Sequence, residues 1–128
     1  MKNNRAFYIC DVCGNMVGLI ADGGGTLTCC NQPMRLLSAN TSDGAAEKHV
    51  PSAERSGDTI TVRIGSLPHP MTPAHYIQWI AVAYKERTQR VHLTPEDKPE
   101  AVFSVSAGEP VTLFAYCNLH SLWSAELN

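Results

Sequence analysis

From Thr59 to Ile64 hydrophobic and polar residues alternate strictly, with Ile60, Val62 and Ile64 on one face and Thr59, Thr61 and Arg63 on the other. A period of two is that of a strand that covers a core on one side and meets water on the other. Similar short runs predict strands at Val50–Arg55, Tyr76–Lys85, Thr88–Leu93, Ala101–Val105, Val111–Tyr116 and Leu122–Ala125. Turn formers separate them: Ser56-Gly57-Asp58, Pro68, Pro70, Pro73, Pro95, Pro99 and Gly108-Glu109-Pro110. About seven short strands at this spacing predict an antiparallel β-sandwich of immunoglobulin-like kind.

The beginning of the chain has a different texture. Short apolar runs at Ala6–Ile9, Met16–Ile20, Leu27–Cys29 and Met34–Leu37 surround a cysteine knuckle, with too little apolar surface to fold unless a metal staples them. Asn40-Thr41-Ser42-Asp43-Gly44 reads as a turn-rich linker, and Ala45-Ala46-Glu47-Lys48 as one helical turn before His49 and Pro51. The chain is therefore expected to be all-β, with a small metal-binding domain over residues 1–37 and a sandwich over 38–128. A chain of 128 residues accommodates such a staple followed by about 90 residues with a modest core.

Composition narrows the function classes. Hydrophobic residues at 44% and charged residues at 17% are those of an ordinary soluble globular protein. The formal net charge of −2 argues against nucleic acid as a partner, because such binders carry a basic stripe. Met1-Lys2-Asn3-Asn4-Arg5 leads straight into Ala6-Phe7-Tyr8-Ile9, too little apolar sequence for a secretory signal. The longest apolar stretch, Tyr76 to Tyr84, is broken by Gln78 and too short to span a bilayer. A cytoplasmic protein without a membrane segment is expected, and there clustered thiols are more often metal ligands than disulfides.

Five cysteines divide into Cys10, Cys13, Cys29 and Cys30, and Cys117 far along the chain. Cys10-Asp-Val-Cys13 is a knuckle, and Cys29-Cys30 returns two more sulfurs after Asp22-Gly23-Gly24-Gly25, so four thiolates can converge tetrahedrally and leave no position open. Zinc there would be structural; iron could pass single electrons. A disulfide pair is the simpler alternative. Spacing does not separate these, although the adjacent pair Cys29-Cys30 argues mildly against an ordinary zinc ribbon, since neighbouring side chains diverge in an extended segment.

Cys117 and His120 lie three residues apart at the turn after a strand, and His49, His69 and His75 also fall on loops or strand ends. A lone loop histidine is most often hydrogen-bonded or at the surface, and a lone cysteine is usually a small buried hydrophobe. His92, inside an alternating strand, keeps that reading. The other four histidines together with the leftover thiol point to a second metal site.

Cys-x2-Cys, Cys-Cys-x-Gln-Pro-Met, Glu-Lys-His-x-Pro, Pro-His-Pro-Met, His-Tyr-Ile-x-Trp-Ile and Tyr-Cys-Asn-Leu-His occur in order over nearly the whole chain. Together they resemble desulfoferrodoxin, the two-iron form of superoxide reductase. The resemblance implies two iron ions per chain. Cys10, Cys13, Cys29 and Cys30 would hold the first in a rubredoxin-like centre of a desulforedoxin-like domain. His49, His69, His75 and His120 would surround the second equatorially with Cys117 axial, and the sixth position would be open to superoxide. Glu47 matches the family's glutamate that can take that position in the oxidised state, and Lys48 its lysine beside the open face. A rubredoxin-like electron donor and a homodimer are also implied.

By residue type alone, Lys48 would be a solvated loop lysine and Glu47 a charge at the start of a helical turn. Two departures from the family pattern stand out. Ser121 follows His120 where glycine is frequent, so a positive φ there would strain the serine. Ser52-Ala53-Glu54 is also less apolar than a core strand needs, which suits a sheet edge. The reading from sequence is thus an oxidoreductase that reduces superoxide to hydrogen peroxide without releasing oxygen. The alternatives are a non-catalytic, rubredoxin-like electron carrier and a zinc-stabilised binding module.

Overall fold

The computed structural model describes residues 6–41, 49–65 and 69–128, and all the regular structure among them is β. Glu47, Lys48 and the helical turn expected at Ala45–Lys48 lie outside the described residues. The chain divides into two compact units, Met1–Ser38 and Ala39–Asn128.

In the first unit β1 (Phe7–Ile9) lies between β2 (Met16–Gly18) and β5 (Arg35–Leu36), and β3 (Thr28–Cys29) pairs with β4 (Gln32–Pro33) as a separate hairpin. The strand expected over Met16–Ile20 stops at Gly18, and Ile20 is 91% exposed. The hairpin turn is Cys30-Asn31, with φ of +54° and +63°. Two positive φ values in a two-residue loop are the type I′ pattern, usually supplied by Asn-Gly. Lacking that signature, β4 was not expected. Among the described residues of this unit only Phe7, Cys10 and Leu37 are buried apolar side chains.

Among its described residues the second unit holds seven strands in two antiparallel sheets. One has the order β10-β7-β6, from β6 (Pro51–Ser56), β7 (Thr59–Ile64) and β10 (Glu100–Ser104). The other has the order β12-β11-β8-β9, from β8 (Ile77–Tyr84), β9 (Arg87–His92), β11 (Val111–Cys117) and β12 (Ser121–Leu127). The alternation of β7 is realised: Ile60, Val62 and Ile64 belong to the core while Arg63 is exposed. β6 is an edge strand, as its polar Ser52 and Glu54 suggested. Gly57 (φ +60°) turns the two-residue β6–β7 hairpin. Its position first in that loop fits a type II′ turn, which demands glycine there.

Asn40 departs from its expected place in the linker. Its N–H donates to Leu122 O and its C=O accepts from Ser124 N, each at 2.9 Å. An extended residue thereby pairs with the edge of β12 opposite Trp123, satisfying groups that an edge strand would leave to water.

Candidate metal centres

The first cluster grows from the end of β1. Cys10 N–H donates to Asn15 O (2.8 Å) and Gly14 N–H to Cys10 O (2.9 Å), closing a tight knuckle in which Gly14 takes φ +82°. Asn15 N–H points at Cys13 Sγ at 3.4 Å. Opposite, Cys29 ends β3 and Cys30 stands in the left-handed turn. That bend answers the objection to adjacent ligands, because it swings two neighbouring sulfurs to within 3.9 Å instead of to opposite faces.

Cys13 Sγ and Cys29 Sγ are 3.6 Å apart, and all four sulfurs lie within 4.8 Å of one another. A tetrahedron of sulfurs about 2.3 Å from a central ion has edges of about 3.8 Å, so the donor set fits one ion. Charge makes the same point. Peptide N–H groups of Cys13 and Val12 favour the Cys10 thiolate and lower its pKa to about 7. Cys30 is pushed up to about 12 by the sulfurs of Cys13, Cys10 and Cys29, and Cys29 is raised by Cys10 and Cys13. Without a cation the cluster resists full ionisation, which a metal relieves. Arg35 pairs with Asp11 through Nε (3.2 Å to both carboxylate oxygens) and Nη2 (3.0 Å), tying the knuckle to β5 and lowering the Asp11 pKa.

The second cluster draws on four segments. His49 precedes β6, His69 and His75 lie between β7 and β8, Cys117 ends β11 and His120 stands in the turn to β12. Val111, Leu113 and Ala115 face the core at alternate positions, and Cys117 is the next in that series, with no exposure at all. The register of β11 against β8 slips between Tyr116 and Cys117, an irregularity of the kind that re-aims a side chain beside a functional site.

Ligand atoms of His49, His69, His75 and Cys117 lie within 4.8 Å of one another. His120 joins them, its Nδ1 lying 3.1 Å from His49 Nε2 and 3.8 Å from Cys117 Sγ. The four imidazoles form a closed circuit with centroid separations of 4.6 Å (His49–His69), 4.8 Å (His69–His75), 5.2 Å (His75–His120) and 4.8 Å (His120–His49). Neighbouring rings meet edge to face in every case. His69 Nδ1 lies 2.8 Å from Pro70 O. A carbonyl only accepts, so Nδ1 carries the proton and Nε2 offers its lone pair, as a metal-binding imidazole requires. His49 and His69 are buried, at 4% and 3% exposure, whereas His120 is open to solvent.

All five second-cluster residues singled out from sequence meet here, and His92 remains exposed on β9. Two supporting residues were not foreseen. Trp123 stacks on His49 and donates from Nε1 to His120 O (2.9 Å), and Asn118 links the Cys117 turn to the segment of His75. The only signal was proximity in sequence to Cys117 and His120.

A four-sulfur pocket in a small β unit, followed by a β-sandwich with an imidazole–thiolate cluster, defines a two-centre non-haem metalloprotein. Comparison with known proteins agrees. The family described as Desulfoferrodoxin matches residues 41–126, and Desulfoferrodoxin, N-terminal domain matches residues 2–37. The desulfoferrodoxin of Syntrophotalea carbinolica is 50% identical over 126 residues, 98% of this chain and 99% of the relative. A superoxide reductase of Pyrococcus horikoshii is 36% identical over 103 residues, 66% of this chain and 90% of the relative. The crystal structure of the superoxide reductase from Treponema pallidum superposes with a TM-score of 0.78 at 31% identity, covering 94% of this chain and 96% of that one. The chain belongs to the desulfoferrodoxin family.

Proposed function

We propose that this chain is a superoxide reductase, carrying out O2•− + e− + 2H+ → H2O2 at the sandwich cluster while the four-cysteine centre holds or passes an electron. The observation that carries the reading is the closed circuit of four imidazoles beside one fully buried cysteine. The names of the Pyrococcus and Treponema relatives support it. Cys10, Cys13, Cys29 and Cys30 would hold one iron in residues 1–37; His49, His69, His75, His120 and Cys117 would hold the other in residues 38–128. Bound there, ferrous iron supplies the electron.

The chain's own residues set the conditions for that reaction. Four neutral imidazoles and one thiolate carry a single negative charge, so a divalent site keeps a net charge of about +1, enough to draw in an anion without holding the product tightly. The His69–Pro70 hydrogen bond orients the ring and makes Nε2 more basic. The core around Cys117 keeps water from the sulfur. Access comes from the solvent side, where His120 is exposed.

Glu47 and Lys48 directly precede His49, and their proposed roles rest on that place in the chain and on the family. Lys48 would attract superoxide over the roughly 8 Å of physiological screening and hold the water that delivers protons. Glu47 would cap the open face in the oxidised state. A rubredoxin-like donor, a homodimer and a cytoplasmic setting complete the proposal. They rest on the family and on clustered thiols; among the described residues no helix is long and apolar enough to cross a membrane.

Peroxide yield tests the reaction. With an external one-electron donor, one peroxide should form per superoxide consumed; half that yield with oxygen release would make the protein a dismutase. Metal analysis should find about two irons per chain, and zinc in both sites would overturn the proposal.

A further inference from the structure

Asn118 follows Cys117 directly, yet its side chain reaches into the segment that carries His75. Its Oδ1 accepts from Tyr76 N–H at 2.9 Å, and its Nδ2 donates to Ala74 O at 2.9 Å. Ala74 and Tyr76 are the two chain neighbours of His75, so one side chain brackets that histidine. The partners dictate how the amide points, because an N–H only donates and a carbonyl only accepts. Asn118 N–H adds a third bond, to Tyr76 O at 3.3 Å.

His75 itself is held from the other side. Its N–H donates to Thr72 O and its C=O accepts from Thr72 N–H, each at 3.0 Å, and the Thr72 hydroxyl lies 3.2 Å from the same N–H. Five consecutive main-chain groups, from Ala74 O to Tyr76 O, therefore have partners in a segment that follows Pro70 and Pro73 and is not itself set in a strand. A ligand must be held to within about 0.5 Å of its working geometry, and an irregular loop does not do this unaided.

We propose that Asn118 is a positioning residue that clamps His75 in register with Cys117, so that thiolate and imidazole reach one ion together. The inference rests on the reading of the sandwich cluster as an iron site. It is tested with N118D, nearly the same shape but with a carboxylate oxygen facing Ala74 O, and with N118A, which removes both side-chain bonds. Ferrous affinity at the second site, measured by chelator competition, should fall about 10- to 100-fold in both variants. The visible spectrum of the oxidised second site should shift, while the bands of the four-cysteine centre stay unchanged.

Affinity and spectrum like those of the unsubstituted protein in both variants would overturn the proposal. So would a loss of affinity that only tracks a lower unfolding temperature of metal-free protein with the spectrum unmoved, since Asn118 would then be a fold staple alone. Unsubstituted protein that takes up no iron at the sandwich cluster sinks the functional reading and this one with it. Iron uptake that is normal in the unsubstituted protein and untouched in both variants sinks this one alone.

Discussion

Trp123 lies flat against His49, with ring centroids 4.6 Å apart and planes 14° from parallel, while its indole N–H donates to His120 O at 2.9 Å. One buried side chain thus backs the ring of one ligand and holds the main chain of another. Trp123→Phe keeps an aromatic face for His49 and loses the hydrogen bond, so it should cost about 0.5–1.5 kcal/mol. Trp123→Ala should cost about 3–5 kcal/mol. Denaturant unfolding of the sandwich measures both, and equal losses would show that the stacking has no part.

Cys117→Ser preserves size at a fully buried position but replaces a soft thiolate with a hydroxyl. Superoxide turnover and the thiolate-dependent absorption of the second site should disappear, with the four-cysteine spectrum unchanged. Retained turnover would remove Cys117 from the site.

Ser121 stands at φ +69° where the turn after His120 meets β12. A left-handed conformation costs a side-chain-bearing residue about 1–2 kcal/mol, partly offset in glycine by about 0.5–1 kcal/mol of backbone entropy. Ser121→Gly should therefore stabilise the sandwich by roughly 0.5 kcal/mol, and Ser121→Val should destabilise it by more than that. A urea midpoint that moves the other way for glycine would contradict the strain.

Removing metal should separate the two units. With only Phe7, Cys10 and Leu37 as buried apolar side chains among its described residues, the first has little besides the ion to hold it. After chelation, amides of residues 6–38 should lose protection from hydrogen exchange while those of β7, β8 and β11 retain it. Persistent protection at Leu37 N–H, which donates to Phe7 O, would count against a metal-dependent fold.

Cys10 should keep its thiolate to lower pH than Cys29 and Cys30. Its folded pKa of about 7 lies below the ordinary 9.0, so the thiolate favours the folded metal-free state. That contribution is complete above pH 9 and is lost as pH falls through 7. The small folded share of the metal-free first unit, read from residual amide protection corrected for intrinsic exchange, should therefore fall as pH is lowered from about 9 to about 6, and Cys10→Ala should flatten that dependence, whereas Cys30, pushed up to about 12, stays protonated throughout. Residual protection that does not change over that range would mean that the peptide N–H groups of Cys13 and Val12 do not act on this sulfur.

The sandwich was legible because its strands alternate. Ile60, Val62 and Ile64 face the core as their spacing predicted, and all seven expected strands form within one or two residues at most of their ends. The small unit was less so. Its strands are two or three residues long, and the β3–β4 turn depends on left-handed Cys30 and Asn31, which carry no glycine to announce it.

The sequence by itself determined which side chains could bind metal, because thiols and loop imidazoles are scarce and chemically distinct, and that Cys117 and His120 stand together at the end of a strand. Only the tertiary structure decided that residues from His49 to His120 share one circuit, that Cys29 and Cys30 turn toward the same point, and that Asn118 and Trp123 support the ligands. Those facts depend on hydrogen bonds and ring contacts between segments as much as 74 positions apart, such as Trp123 on His49. No local pattern in a chain encodes a distance of that kind.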